Sequence, residues 1–185
     1  MVEQMKIFII LSNHYTSLAK AVSFLTGKKY AHVSIALDHE LKEVYSFARI
    51  NIDSPFPAGF VREDLEVIVG KFKHSICCIY ELAVTGPQYH KIKSELNDRY
   101  IINASKYRYN YLGLPFLYIR LPWRRKYHYV CSQFCGKLLA DCEITTFDKD
   151  YSILLPHDFC EINNLKLIYE GKTLDYLANI GTSGI

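Results

Sequence analysis

Three observations predict an α+β architecture: a mainly antiparallel sheet packed against helices. Residues 32–37 alternate cleanly, with Val33, Ile35 and Leu37 on one side and His32, Ser34 and Ala36 on the other, as in a strand with two distinct faces. Residues 76–84 form a long apolar run, suited to an interior strand. Strand and helix patterns are segregated along the chain instead of alternating strictly, which argues against a parallel βαβ sheet. With 185 residues and no repeat, low-complexity tract or linker, residues 1–185 read as one domain, large enough to bury its own core.

The elements follow in order. Residues 6–11 read as a first strand. The apolar run Ile7-Phe8-Ile9-Ile10-Leu11 stops at Ser12-Asn13-His14 and lacks a small-residue cleavage site, so it is read as a strand and not as a leader. Residues 16–26 carry Leu18, Ala19, Val22, Phe24 and Leu25 at helical spacing, and Gly27 suits the stop. Beyond the alternating strand, a polar turn at 39–42 leads to a hairpin partner at 44–48. Residues 51–62, with Pro55, Pro57 and Gly59, read as a loop whose Phe56 and Phe60 could rim a site. Residues 65–69 read as a further strand. Gly86-Pro87 opens a helix to about residue 102, with Tyr89, Ile92, Leu96 and Tyr100 as its inner stripe. An aromatic segment at 107–123 precedes a helix from Cys131 to about Asp141. Pro156 starts another helical turn, and 165–169 form a late strand.

Composition excludes more than it selects. Half of the residues are apolar and 22% are charged, an ordinary globular balance. A net charge of +3 is too small to argue for nucleic acid. No run reaches the roughly 18–20 apolar residues of a membrane span, although peripheral lipid contact stays possible. The six cysteines (Cys77, Cys78, Cys131, Cys135, Cys142, Cys160) show no disulfide-framework spacing, which fits a cytoplasmic, reducing setting.

Cys131 is the exception among them. It lies where a helix begins, and there unpaired N–H groups and the positive dipole end favour a thiolate and could hold an oxyanion. The competing reading is a small-residue core stripe of Cys131, Cys135, Leu138 and Cys142. His32 offers the base: its strand face also holds Ser34 and Ala36, which leave room beside the ring, and an imidazole titrating near ~6.5 can move a proton at working pH. A buried structural histidine is the plainer alternative. His128, Cys131 and Cys135 could supply metal ligands only if all face one way, and no CxxC or HxxxH accompanies them, so no metal or other cofactor is expected. The basic, aromatic stretch 120–128 reads as a solvated loop, with contact to an anionic substrate or lipid head group as its functional alternative.

His32-Val33-Ser34-Ile35 and Cys131-Ser132-Gln133-Phe134, with Leu155-Pro156-His157-Asp158-Phe159 behind them, resemble circularly permuted papain-like cysteine hydrolases of the NlpC superfamily, the YaeF/YiiX type. The resemblance runs over roughly residues 5–170. It implies a papain-like fold with Cys131 as nucleophile and His32 as general base and acid. Many relatives place a glutamate on the strand after the histidine strand. Here that segment carries Tyr45 and Ser46, so the imidazole would be steadied by Ser46, a backbone carbonyl or Glu43. Tyr129 and Ser34 would line the site, and the N–H groups of Cys131 and Ser132 would form the oxyanion hole. The implied function is cleavage of an amide, peptide or N-acyl, through a thioester. A lipid acyltransferase or thioesterase with the same dyad, and a binding module without catalysis, are the alternatives. The implied partner is a small amide-, peptide- or acyl-lipid-type substrate.

Overall fold

A computed structural model describes residues 4–182. The first strand β1 (Gln4–Asn13) is followed by helix α1 (Ser17–Thr26). Thr16 caps α1 by accepting the Ala19 N–H, and Gly27 ends it in the left-handed conformation, φ 64°, where the absence of Cβ removes the steric cost. Of its apolar side chains Val22 is buried, whereas Phe24 and Leu25 lie exposed. Strands β2 (His32–Ala36) and β3 (Val44–Arg49) follow as expected.

Two expectations are corrected at the next elements. Residues 58–63 are not loop but strand β4 (Ala58–Glu63), paired with β3 over its full length. Residues 65–69 are not strand but the start of helix α2 (Leu65–Lys71), capped by Asp64, whose side chain accepts the Val67 N–H. The cap explains the error: an aspartate before Leu65-Glu66-Val67 is a helix-start signal that outweighs two valines and an isoleucine.

Strand β5 (Ile76–Thr85) leads into α3 (Gly86–Ser94), which continues as a wider π-helical turn over Glu95–Ile101. Then come β6 (Arg108–Tyr109), α4 (Leu114–Tyr118), β7 (His128–Tyr129) and α5 (Cys131–Asp141). A 3-10 turn at Pro156–Glu161, β8 (Leu165–Lys172) and α6 (Thr173–Thr182) complete the order.

The main sheet has six strands in the order β4-β3-β2-β1-β5-β8, every neighbouring pair antiparallel. The α+β expectation therefore stands, with β5 interior as its apolar run implied. One face packs Ile9, Val33, Ile35, Phe47 and Phe60 against Leu96, Tyr100, Phe134 and Leu138. The other packs Phe8, Ile10, Ala36 and Ile79 against Leu65 and Tyr176. Each fully buried side chain contributes about 1.5–3 kcal/mol, so α5 is seated firmly by Phe134, whose ring meets Phe47 at 5.3 Å and Tyr100 at 4.9 Å between centroids. Among the described residues no helix is long and apolar enough to cross a membrane.

Candidate functional site

A break in the sheet positions the site. β2 and β3 pair only at Ile35–Tyr45 and Ala36–Val44, so the ladder is missing towards His32. Helix α5 takes its place there, and Cys135 Sγ donates to the freed Val33 carbonyl at 3.6 Å. Burial pushes the Cys135 thiol well above the usual range. That cysteine holds the helix to the strand and stays protonated.

His32 therefore meets α5 at its first residue, Cys131, which is 5% exposed. The imidazole Nε2 bonds Glu63 Oε1 at 2.6 Å, and the same carboxylate oxygen accepts the Ser46 hydroxyl. Burial disfavours the charged ring, but the Glu63 charge, then the charge of Cys131 and a side-chain hydrogen bond with it, outweigh that cost and raise the imidazole well above its ordinary value. Burial likewise penalises the Glu63 carboxylate, yet His32, by charge and hydrogen bond, and then Ser46 hold it below the ordinary range. With Nε2 engaged by Glu63, Nδ1 is the nitrogen left for Cys131.

Glu63 is thus the acid that the sequence reading missed. Ser46 is buried as expected of a site residue, but it stands behind Glu63 instead of accepting from the imidazole. Glu43 lies beside Lys93 at 3.8 Å. Residues 58–63 (Ala58-Gly59-Phe60-Val61-Arg62-Glu63) show no clean alternation, and the prolines before them and Gly59 within them read as loop. Once β4 is registered on β3, Glu63 faces Val44 and lies diagonal to Ser46, within side-chain reach.

The other expected site residues divide. Ser132 donates its hydroxyl to the Leu154 carbonyl at 2.5 Å, so its side chain is an anchor, while its N–H belongs to the unpaired first turn of α5. Tyr129 packs into the aromatic core, its ring 5.4 Å from Phe47. Ser34 is fully buried, and its hydroxyl has no partner. Two further tyrosines, Tyr109 and Tyr118, feel the charge of Cys131. Burial first, then the charge of Cys131, raises Tyr109 well above the usual phenol range and Tyr118 to about 12. Both hydroxyls keep their protons as donors.

His14 forms a wall behind His32, at 6.1 Å between ring centroids, and stacks on Phe72. Ser75 donates to the Phe72 carbonyl, so His14 Nδ1–H donates to Ser75 Oγ and His14 Nε2 accepts from Ser12. Burial, then the His32 charge, pushes His14 down to about 4. A second cation is kept out of the site.

The first turn of α5 is locked from its outer side. Gln133 accepts the Val130 N–H at 3.0 Å and donates to the Ser152 carbonyl at 2.8 Å. Asn110, fully buried, donates to Gln133 and accepts from Arg125 at 3.1 Å. A Cβ on Gly113 would stand 2.2 Å from Asn110 Nδ2. Gly113→Ala is therefore expected to lower stability by about 2 kcal/mol, read as a fall in melting temperature of about 4–8 °C. An unchanged melt would show that Asn110 can retreat without cost.

No protein-family model, curated protein or solved structure matches the chain significantly.

Proposed function

We propose that the chain is a cysteine-nucleophile hydrolase of the permuted papain-like kind, cleaving an amide bond through a Cys131 thioester. The observation that carries this reading is the buried relay Cys131–His32–Glu63–Ser46. A nucleophile, a base and an orienting acid in that order form the arrangement acyl transfer requires. His32 takes the thiol proton at Nδ1, and Glu63 accepts the Nε2–H and stabilises the imidazolium. The thiolate adds to the carbonyl carbon, and the oxyanion is met by first-turn N–H groups of Cys131 and Ser132, with the protonated Tyr109 as a further donor. Collapse expels the amine, which takes the imidazolium proton. Water, deprotonated by His32, then splits the thioester and restores the thiol.

An acyl acceptor other than water would make the same dyad an acyltransferase. Glu63 beside His32 supports the enzymatic reading over a binding module, whose ground was a missing acid. Six free thiols, five of them buried, fit a reducing, cytoplasmic setting.

Iodoacetamide labelling followed by peptide mapping tests the reading. Cys160 is exposed and Cys131 is nearly buried, so access alone favours Cys160. Activation by His32 is expected to reverse that order by about tenfold or more and to vanish in His32→Ala. Faster labelling of Cys160 in the wild type would overturn the catalytic claim.

A further inference from the structure

Against strands β6 and β7 lies a cavity of about 520 Å³, walled by Phe56, Tyr109, Tyr111 and Leu112 and edged by Arg108, Arg125 and His128. Tyr109 is shared: it lines the cavity and interacts with Cys131. The strands that carry the charged edge also join cavity to nucleophile, because Arg108 pairs with His128 across β6 and β7 and Cys131 follows three residues later.

The walls and the edge ask for different things. Phe56 and Leu112 are 62% and 63% exposed, apolar surface that an occupant would cover. Among the described residues no carboxylate pairs with Arg108, Arg125 or His128, whereas the neighbouring Arg124 pairs with Asp150. Arg108 donates to the carbonyls of Ser105 and Tyr107, and Arg125 to the Asn110 side chain. His128 Nδ1–H donates to the Lys126 carbonyl at 2.8 Å. The bonds of Arg108 and Arg125 aim the two guanidinium groups without neutralising them.

Building on the hydrolase reading, we propose that this cavity takes an anionic amphiphile as substrate, its apolar chain against Phe56, Tyr111 and Leu112 and its carboxylate or phosphate on Arg108 and Arg125. Guanidinium groups favour such planar or tetrahedral oxyanions. The scissile carbonyl then lies between that anion and Cys131, past Tyr109.

Trp123 is the single tryptophan and stacks at 5.4 Å under the Arg125 guanidinium, so its fluorescence reports on the edge. Titration of the full chain with decanoate, decyl phosphate and uncharged decanamide is expected to show saturable binding about tenfold tighter for the two anions. Arg108→Met is expected to erase that preference while keeping decanamide binding, and raised salt to weaken only the anions. Equal affinity for all three, or a preference untouched in Arg108→Met, overturns the proposal. Cys131→Ser is expected to bind as the wild type does while losing turnover, so full turnover in Cys131→Ser with the anion preference intact would sink the hydrolase reading alone. Sedimentation with phosphatidylglycerol but not phosphatidylcholine vesicles assigns the anion to a bilayer lipid. Binding of the dissolved probes without vesicle association assigns it to a soluble amphiphile.

Discussion

Cys131→Ser is expected to lower turnover of an activated acyl substrate, such as p-nitrophenyl acetate, by at least about 10³-fold with an unchanged melting temperature. The hydroxyl fits the thiol's space but is a far weaker acid, and the His32–Glu63 pair is too weak a base to ionise it at neutral pH. A Cys160→Ala background removes the exposed thiol that would otherwise acylate stoichiometrically. His32→Ala is expected to cost a similar factor, and the double variant no more than either alone, because thiol and base act as one unit. Additive losses would mean that the two residues act separately. Retention of more than about a tenth of wild-type turnover by Cys131→Ser would place the chemistry elsewhere.

The parts of this site that were legible in the sequence are those fixed by local pattern. Val33, Ile35 and Leu37 alternate with His32, Ser34 and Ala36, and that alternation orients the base strand. The start of α5 at Cys131 follows from the extended residue before it and from the side-chain bond of Gln133 to the Val130 N–H. The acid was hidden because its placement depends on register. A glutamate at the end of a strand that contains Gly59 and follows two prolines has no local signature. It reaches His32 only because β4 pairs with β3 in one register and β2 parts from β3 where the ladder stops. Gly59 itself is required there, since a Cβ would come within 2.6 Å of the Tyr107 carbonyl oxygen. What looked like a loop-forming glycine is a close approach inside a sheet. The same holds for Tyr129 and Tyr109: they are partners in the β6–β7 register, yet Tyr129 packs into the core and Tyr109 borders the thiol.

Glu63→Gln separates the structural and catalytic duties of the relay. The carboxylate is nearly inaccessible, His32 is 16% exposed on its side chain, and the two meet at 2.6 Å. Removing the charge strands the imidazole among buried groups, so a loss of about 3 kcal/mol is expected, seen as a melting temperature about 6–12 °C lower. The loss should depend on pH in a defined direction. Glu63 titrates lower in the folded chain than its ordinary 4.5, so its contribution is present above that value and lost as pH falls through the folded one. His32 titrates above its ordinary 6.5 when folded, so its contribution is complete below 6.5 and lost as pH rises through the folded value. The gap between wild type and Glu63→Gln is therefore expected to be widest between about pH 4.5 and 6.5 and to narrow on both sides. Turnover should fall by about 10²- to 10⁴-fold, as it does when an orienting carboxylate becomes an amide and the imidazole can adopt the wrong tautomer. Glu63→Asp keeps the charge one methylene short and should recover part of both losses. A lower melting temperature with turnover within threefold of wild type would make Glu63 a core ion pair and leave Cys131 and His32 to act as a dyad.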